Sequence, residues 1–274
     1  MKPPLFSYHD PRSTADVVGL LTSLDNAKLL AGGQSLMPML NMRYVLPDHV
    51  IDLNRVEGLS HIRESGGALD IGAMTRQRDI EFSDLVRERC PLMHEAVRQV
   101  GHRQTRNRGT LGGSLCHLDP SAELVSVAAA LDAKISVTGK NGARSIDFAA
   151  FPVGYMSSSI ALDELVTGAT FPCWPTGHGY AFVEFARRHG DFAIVACAAV
   201  CSRDRIRLAI GGVADRPMAR DFPLLEGEAL DDALDTLAWE LDARDDMHAT
   251  ARYRRDLVRR MGRATIDEAL RCRG

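Results

Sequence analysis

No stretch of the 274 residues approaches the roughly 20 consecutive apolar side chains that a membrane-spanning helix requires. The opening Met1-Lys2-Pro3-Pro4-Leu5-Phe6-Ser7-Tyr8-His9-Asp10 lacks the apolar segment of a secretory signal. A soluble cytoplasmic protein is the expectation. An excess of one charge sign is missing too: 33 basic against 36 acidic side chains leave a formal charge of -3, too weak a field to hold a polyanion, so nucleic acid is not an expected partner. The six cysteines, at 90, 116, 173, 197, 201 and 272, contain no C-x-x-C pair and no histidine at zinc-finger spacing. An iron–sulfur cluster needs about four thiolates in motif spacing, so any cluster belongs to a partner and the thiols read as buried small hydrophobes. Cys197 and Cys201 could share either a helix face or the inward side of a strand. Glycine (23) and proline (12) are too sparse for collagen or low complexity, and 45% hydrophobic with 25% charged residues is globular. The length suits two compact units or one large one.

Ser13-Thr14-Ala15-Asp16 reads as a helix start with Val17, Val18, Leu20, Leu21 and Leu24 on its buried side, and Ala27 to Ala31 as a short strand running into Gly32-Gly33. Further strands are expected at 49–53 and 68–73. Helical spacing recurs at 81–86, at 92–100 and over the apolar residues 122–131, with 101–120 between them read as a loop. Strands follow at 134–138 and 165–171. The Pro and Gly cluster from Pro172 to Gly179 marks a boundary near residue 173. Beyond it strands are expected at 180–187, 192–201 and 205–211, then two helices around 230–244 and 247–260. The fold class is α+β.

Two glycine-pair segments carry the chemistry: Ala31-Gly32-Gly33-Gln34-Ser35-Leu36 and Thr110-Leu111-Gly112-Gly113-Ser114. Neither is G-x-G-x-x-G, and no G-x-x-x-x-G-K-[ST] occurs, which removes the usual support for a Rossmann or P-loop reading. In each, two glycines let backbone approach a ligand without an intervening Cβ, and a small hydroxyl donor follows. Backbone N–H groups in such turns make concave anion sites, so the pair can clamp one diphosphate; as an alternative, the glycines only make tight turns. Asp119 and Glu123 can accept from ribose or ribityl hydroxyls, and Asp119 reads equally as part of a helix N-terminal cap. Arg103, Arg106 and Arg108 neutralise phosphate, dock a partner, or are solvated.

Ala31 to Asn41, Ile71-Gly72-Ala73-Met74-Thr75 and Arg106 to Ser114 with Asp119-Pro120 resemble the FAD-binding medium subunit of molybdenum hydroxylases, the carbon monoxide dehydrogenase and xanthine dehydrogenase family. The likeness continues in order through Asp147-Phe148, Gly154-Tyr155-Met156, Asp163 to Val166, Phe171-Pro172, Arg187 to Ala193 and Tyr253-Arg254-Arg255. The resemblance implies a two-subdomain FAD-binding domain of the p-cresol methylhydroxylase type over 1–173, divided near residue 55, and a C-terminal α+β domain over 174–274 with strands before helices. It implies FAD contacts from Ala31, Gly32, Gly33, Gln34, Ser35 and Leu36 and from Thr110, Gly112, Gly113 and Ser114. Asp119 and Glu123 follow as acidic contacts. Leu165 and Val166 fall where relatives pack aliphatic side chains beside the cofactor, a position equally suited to strand core. Where some relatives carry a lysine upstream of the Arg-Arg segment, this chain reads Phe182-Val183-Glu184-Phe185-Ala186.

By the same resemblance, a large subunit carrying molybdopterin oxidises the substrate, and a small subunit with two [2Fe–2S] clusters feeds electrons to this chain's FAD. An external acceptor drains them, in a dimer of heterotrimers. No catalytic residue and no metal ligand is assigned in this chain, which shows no Ser/His/Asp set, no H-E-x-x-H and no carboxylate pair demanding an acid–base role. Two other readings stay open: a free-standing FAD oxidoreductase with its own substrate, and a nucleotide-binding or assembly module without turnover.

Overall fold

The computed structural model describes residues 1–273. Its first unit is a small parallel sheet. Strand β1 (Ser7–His9), helix α1 (Thr14–Ser23), strand β2 (Ala27–Leu30), helix α2 (Leu36–Asn41) and strand β3 (His49–Asp52) follow one another, with sheet order β1-β3-β2. Helix α1 starts at Ser13 because a capping box forms: Asp16 N–H donates to Ser13 Oγ at 3.1 Å and Ser13 N–H donates to the Asp16 carboxylate at 3.2 Å. Its Val17 meets Ile51, Leu53, Val56, Leu59, Met74 and Leu165 in a small core.

The second unit is antiparallel. It runs β4 (Ile62–Ser65), β5 (Ala68–Gly72), α3 (Gln77–Glu81), α4 (Asp84–Arg89), α5 (Pro91–Gln99), α6 (Arg103–Arg108), α7 (Leu111–His117), α8 (Glu123–Ala130), β6 (Lys134–Gly139), β7 (Gly142–Asp147), β8 (Pro152–Gly154), β9 (Ser157–Ser158) and β10 (Glu164–Pro172). The main sheet has the order β4-β5-β10-β6-β7, and β10 carries a bulge between Val166 and Gly168 where it pairs with β6. Helix α8 is buried on every side, which its run of small and apolar residues permits.

The third unit is a four-stranded antiparallel meander, β11 (Gly179–Phe185), β12 (Val195–Cys201), β13 (Arg205–Gly211) and β14 (Met218–Pro223), followed by α9 (Gly227–Glu240) and α10 (Ala251–Arg271). Alternation assigns its faces. Ala181, Cys197, Ala199, Cys201, Ile206, Leu208 and Ile210 pack with α9 and α10. Tyr180, Phe182, Ala198, Val200 and Ala209 point the other way and join the core built on α5 and α8. The meander is therefore the middle layer of a helix–sheet–helix stack, and one continuous core crosses from residues before 174 to residues after it.

Several expectations change. Residues 101–120 are not an open loop, since α6 and α7 both lie there. The 81–86 helix is two helices, interrupted where Ser83 Oγ accepts from Val86 N–H at 3.2 Å and starts α4. Cys197 and Cys201 share a strand face, not a helix. Cys90, Cys197 and Cys201 are buried thiols as expected, whereas Cys272 is exposed. The last helix extends to Arg271, and the sequence pattern gave no sign of β14, whose Met-Ala-Arg-Asp-Phe-Pro stretch is held by pairing with β13.

Candidate functional site: two glycine pairs in contact

The two glycine-pair segments lie against each other. A Cβ built on Gly32 would run into the Arg108 carbonyl and stand 2.9 Å from Gly109 Cα, while one on Gly113 would lie 3.6 Å from Ala31 Cβ. At Gly32 only glycine permits this approach. Asn54 Nδ2 donates to Ala31 O at 3.1 Å, and the Arg76 guanidinium donates to Arg108 O at 2.5 Å, so both residues brace the junction. Burial, and then the like charge of Arg108, pull the Arg76 pKa down. Sequence reasoning missed Asn54 and Arg76; the only signal was that Arg76 directly follows the Gly72-Ala73-Met74-Thr75 motif.

The pairs differ in what their amides do. In the second, Leu111 N–H donates to Thr75 O (3.0 Å), Gly112 N–H to Ala73 O (2.8 Å), Gly113 N–H to Thr110 Oγ1 (3.0 Å) and Ser114 N–H to Thr110 O (3.1 Å). Thr110 is thus the N-cap of α7, and Gly112 and Gly113 form its first turn, not a free turn like the first segment. In the first segment Gly33 has φ +76°, in the left-handed region, and Ser35 precedes α2 without making a side-chain cap. The N–H groups of Gly33, Gln34, Ser35 and Leu36 find no backbone acceptor among the described residues. Four consecutive donors without partners suit a ligand rich in acceptor oxygens.

Leu165 and Val166 are both buried, on opposite faces of β10. Leu165 shares a core with residues around Ala31, and Val166 belongs to the larger core. Asp119 Oδ1 accepts from Ser121 N–H at 2.9 Å in the turn before α8. Ala122, not Asp119, is the N-cap of α8. Asp119 also lines a cleft of about 820 Å³ together with Tyr155, Arg187, Phe192, Arg244 and His248. That cleft includes neither glycine pair, so the structure does not gather all the sequence-selected residues into one cavity. Arg106 is not free: it makes a two-point ion pair with Glu81 at 2.8 and 3.1 Å.

Glu123 opens α8 and is only 8% exposed. Burial first, and then the Glu184 carboxylate, push its pKa up to about 8. Glu184 itself, on β11, is pushed up to about 7 by burial, and its Oε2 is buried without a partner. Among the described residues no group of three or more His, Cys, Asp or Glu side chains is arranged to hold a metal.

Comparison with known proteins decides the family. The model for the FAD binding domain in molybdopterin dehydrogenase matches residues 4–174, and that for the CO dehydrogenase flavoprotein C-terminal domain matches residues 180–269. The chain belongs to this family of FAD-binding subunits. It is 38% identical to the 6-hydroxypseudooxynicotine dehydrogenase complex subunit alpha of Paenarthrobacter nicotinovorans, covering 98% of this chain and 96% of the relative. The solved carbon monoxide dehydrogenase of Hydrogenophaga pseudoflava lacking the Mo-pyranopterin moiety superimposes with a TM-score of 0.94 at 33% identity, with 98% of each chain covered. Reconstituted CO dehydrogenase from Oligotropha carboxidovorans gives 0.96 at 32%, covering all of both chains. The FAD-binding subunit described here is thus part of an oxidoreductase, and its mixed α and β architecture is that of the carbon monoxide dehydrogenase medium chain. No helix of the described residues is long and apolar enough to cross a membrane.

Proposed function

We propose that this chain carries FAD as the electron-transfer subunit of a cytoplasmic molybdenum hydroxylase. Electrons arrive from two [2Fe–2S] clusters in a small partner subunit, which is loaded in turn by a large molybdopterin subunit that oxidises the substrate. They leave to an external acceptor, and the assembly is a dimer of heterotrimers. Residues 1–173 form the cofactor-binding domain, with subdomains meeting near residue 55, and 174–274 form the C-terminal domain. The six free thiols suit a reducing compartment.

The observation that carries this reading is the run of unpartnered N–H groups from Gly33 to Leu36, which follows directly on the contact of Ala31 and Gly32 with Gly113 and the Arg108–Gly109 backbone, a junction braced by Arg76. Those donors fit a dinucleotide diphosphate: amides bind oxygens at fixed positions, and the two guanidiniums supply a positive field. The first segment acts as the diphosphate cradle and the second, its amides already spent on Thr75, Ala73 and Thr110, as its rigid wall. When bound, FAD supplies an exchange of one or two electrons that no side chain can provide. The protein's share is to fix the dinucleotide, to order the Ala31–Leu36 backbone through Asn54, and to set the charge around it through Glu123 and Asp119.

The test is co-purification with cofactor analysis. One FAD per chain is expected, with iron and molybdenum in the partner chains. Gly33→Val, which cannot hold φ +76° without strain, should cut flavin occupancy at least tenfold; Ser35→Ala should weaken FAD binding about tenfold through one lost hydrogen bond. Full FAD occupancy in Gly33→Val refutes the cradle assignment. A lone yellow chain that turns over its own substrate would instead establish a free-standing oxidoreductase, and a colourless one an assembly module.

A further inference from the structure

Glu184 stands on the face of the meander that looks toward the FAD-binding half. In the strand register Glu184 pairs with Ala196, and Ala196 pairs with Gly211. Side chains in one cross-strand row share a face. The direction of that face is fixed by Gly211, whose missing Cβ would meet Ser126 Oγ, with Pro120 O 3.0 Å away. Phe182 and Tyr180, two and four residues before Glu184, lie on the same side and pack into the core around α8. Glu123 and Ser126 are three residues apart on α8, hence on one helical face. Glu184 is therefore aimed from β11 at the helix face that carries Glu123, across the junction of the two family-matched segments. Neither carboxyl has an ion-pair partner among the described residues, and Glu184 Oε2 has no hydrogen-bond partner at all.

We propose that Glu123 and Glu184 form a carboxyl pair that holds one proton at neutral pH while the flavin is oxidised and takes up a second when electrons reach it. The inference rests on the reading above that Glu123 helps to set the charge around FAD. Two electrons arriving from the partner's iron–sulfur clusters, with one proton bound from solvent by the flavin ring, leave that ring with one net negative charge. A second solvent proton, taken by the pair, compensates that charge. When the acceptor removes both electrons, both protons return to solvent. The pair is a positioning element, acting on the flavin through its field.

Two carboxyls facing one partly buried junction resist ionising together, because that would set like charges near each other with little water between them. Burial raises both; Glu123 is raised further by the Glu184 carboxylate and pulled back in part by its own backbone N–H. The charges whose field reaches Glu123 are Glu184, Asp119 and the Arg106 guanidinium, and Arg106 is already bound to Glu81. On the same face of β11, Tyr180 has its pKa raised by burial first and then by Glu95. His117 is on α7, with its pKa lowered chiefly by burial, as is that of His94 on α5. Glu95 and Arg98 pair with each other on α5, and Arg207 on β13 pairs with Asp132 and Asp221. Arg187, Arg188, His189 and Asp191 belong to the β11–β12 connection, where a Cβ on Gly190 would meet the His102 ring.

The test measures proton uptake with a pH indicator during photoreduction of the flavin-loaded complex at pH 7.5. Wild type should take up about two protons per two electrons, and Glu184→Gln, with unchanged FAD content, about one. Infrared titration of the same chain freed of flavin reads the pair without any electron transfer: a protonated-carboxyl band should disappear between pH 6 and 9 in wild type and be lost or shifted in Glu184→Gln. Equal proton uptake in the two proteins overturns the coupling, and absence of the band overturns the shared proton. A chain that binds no FAD while keeping the band would refute the parent reading and the coupling, and leave the pair itself standing.

Discussion

A single missing methyl group separates two kinds of glycine in this chain. Gly19, on α1, has nothing within 4 Å of the position its Cβ would take, whereas Gly32 is pressed against the Arg108 carbonyl. Gly19→Ala should raise stability by about 0.5–1 kcal/mol, since it lowers the entropy of the unfolded chain and suits a helix. Gly32→Ala should push the two glycine segments apart, lowering both the thermal midpoint and flavin retention. Urea unfolding of both variants checks this, and a Gly32→Ala protein with wild-type stability and full FAD would show that the contact is dispensable. At this scale the sequence was informative about the first segment: Gly33-Gln34-Ser35-Leu36 does leave its amides open. It misled for the second, because Gly112 and Gly113 look like turn residues in a list of letters. Their helical state depends on Ala73 and Thr75 carbonyls almost 40 residues away, which no local pattern encodes.

The C-terminal elements show what long-range pairing adds. Helix α10 was legible from its apolar spacing, but its attachment was not. Arg254, only 5% exposed, donates to Ile194 O at 2.7 Å, to Gly212 O, and to the Asp246 carboxylate at 2.5 Å, tying the helix start to the ends of β12 and β13. In the sequence it is one of several arginines in a basic run, with nothing to distinguish it from its exposed neighbour Arg252. Arg254→Met keeps the apolar stem but strands two carbonyls and a carboxylate. It should cost about 3 kcal/mol, whereas Arg252→Met should cost less than about 0.5 kcal/mol. Chemical denaturation distinguishes the two, and equal costs would show that the buried guanidinium is not the anchor. Strand β12 was readable as a short unbroken apolar run, the pattern of a strand buried on both faces, though the run alone did not separate strand from helix; β14 was not readable, because its register comes from Arg220 opposite Leu208 and Ala219 opposite Ala209, not from its own composition.

Over the whole molecule the buried acids set the direction in which stability changes with pH. A carboxyl whose folded pKa lies above its unfolded value binds more protons when folded, so its contribution is complete below about 4.5 and is lost as pH rises through the folded value. Glu123, at about 8, and Glu184, at about 7, both act in this sense. Glu164 acts in the other: the Arg144 guanidinium donates to both oxygens of its carboxylate at 2.7 Å and holds its pKa down to about 2, so its stabilisation is present above 4.5 and lost as pH falls through 2. His94 and His117, lowered by burial, favour the folded state as pH rises through 6.5 and contribute no slope above it. The thiols of Cys90, Cys116, Cys197 and Cys201, pushed up to about 12, begin to matter only near pH 9, where unfolded thiols ionise. Between pH 7 and 8.5 the glutamate pair therefore dominates, and the flavin-free chain should lose stability with a slope of at most about 1.4 kcal/mol per pH unit for each group. Differential scanning calorimetry across that interval should show a falling midpoint in wild type, a shallower fall in Glu184→Gln, and a nearly flat line in the double variant Glu123→Gln with Glu184→Gln. A wild-type midpoint that does not fall over the same interval would mean that the two carboxyls are already ionised in the folded chain.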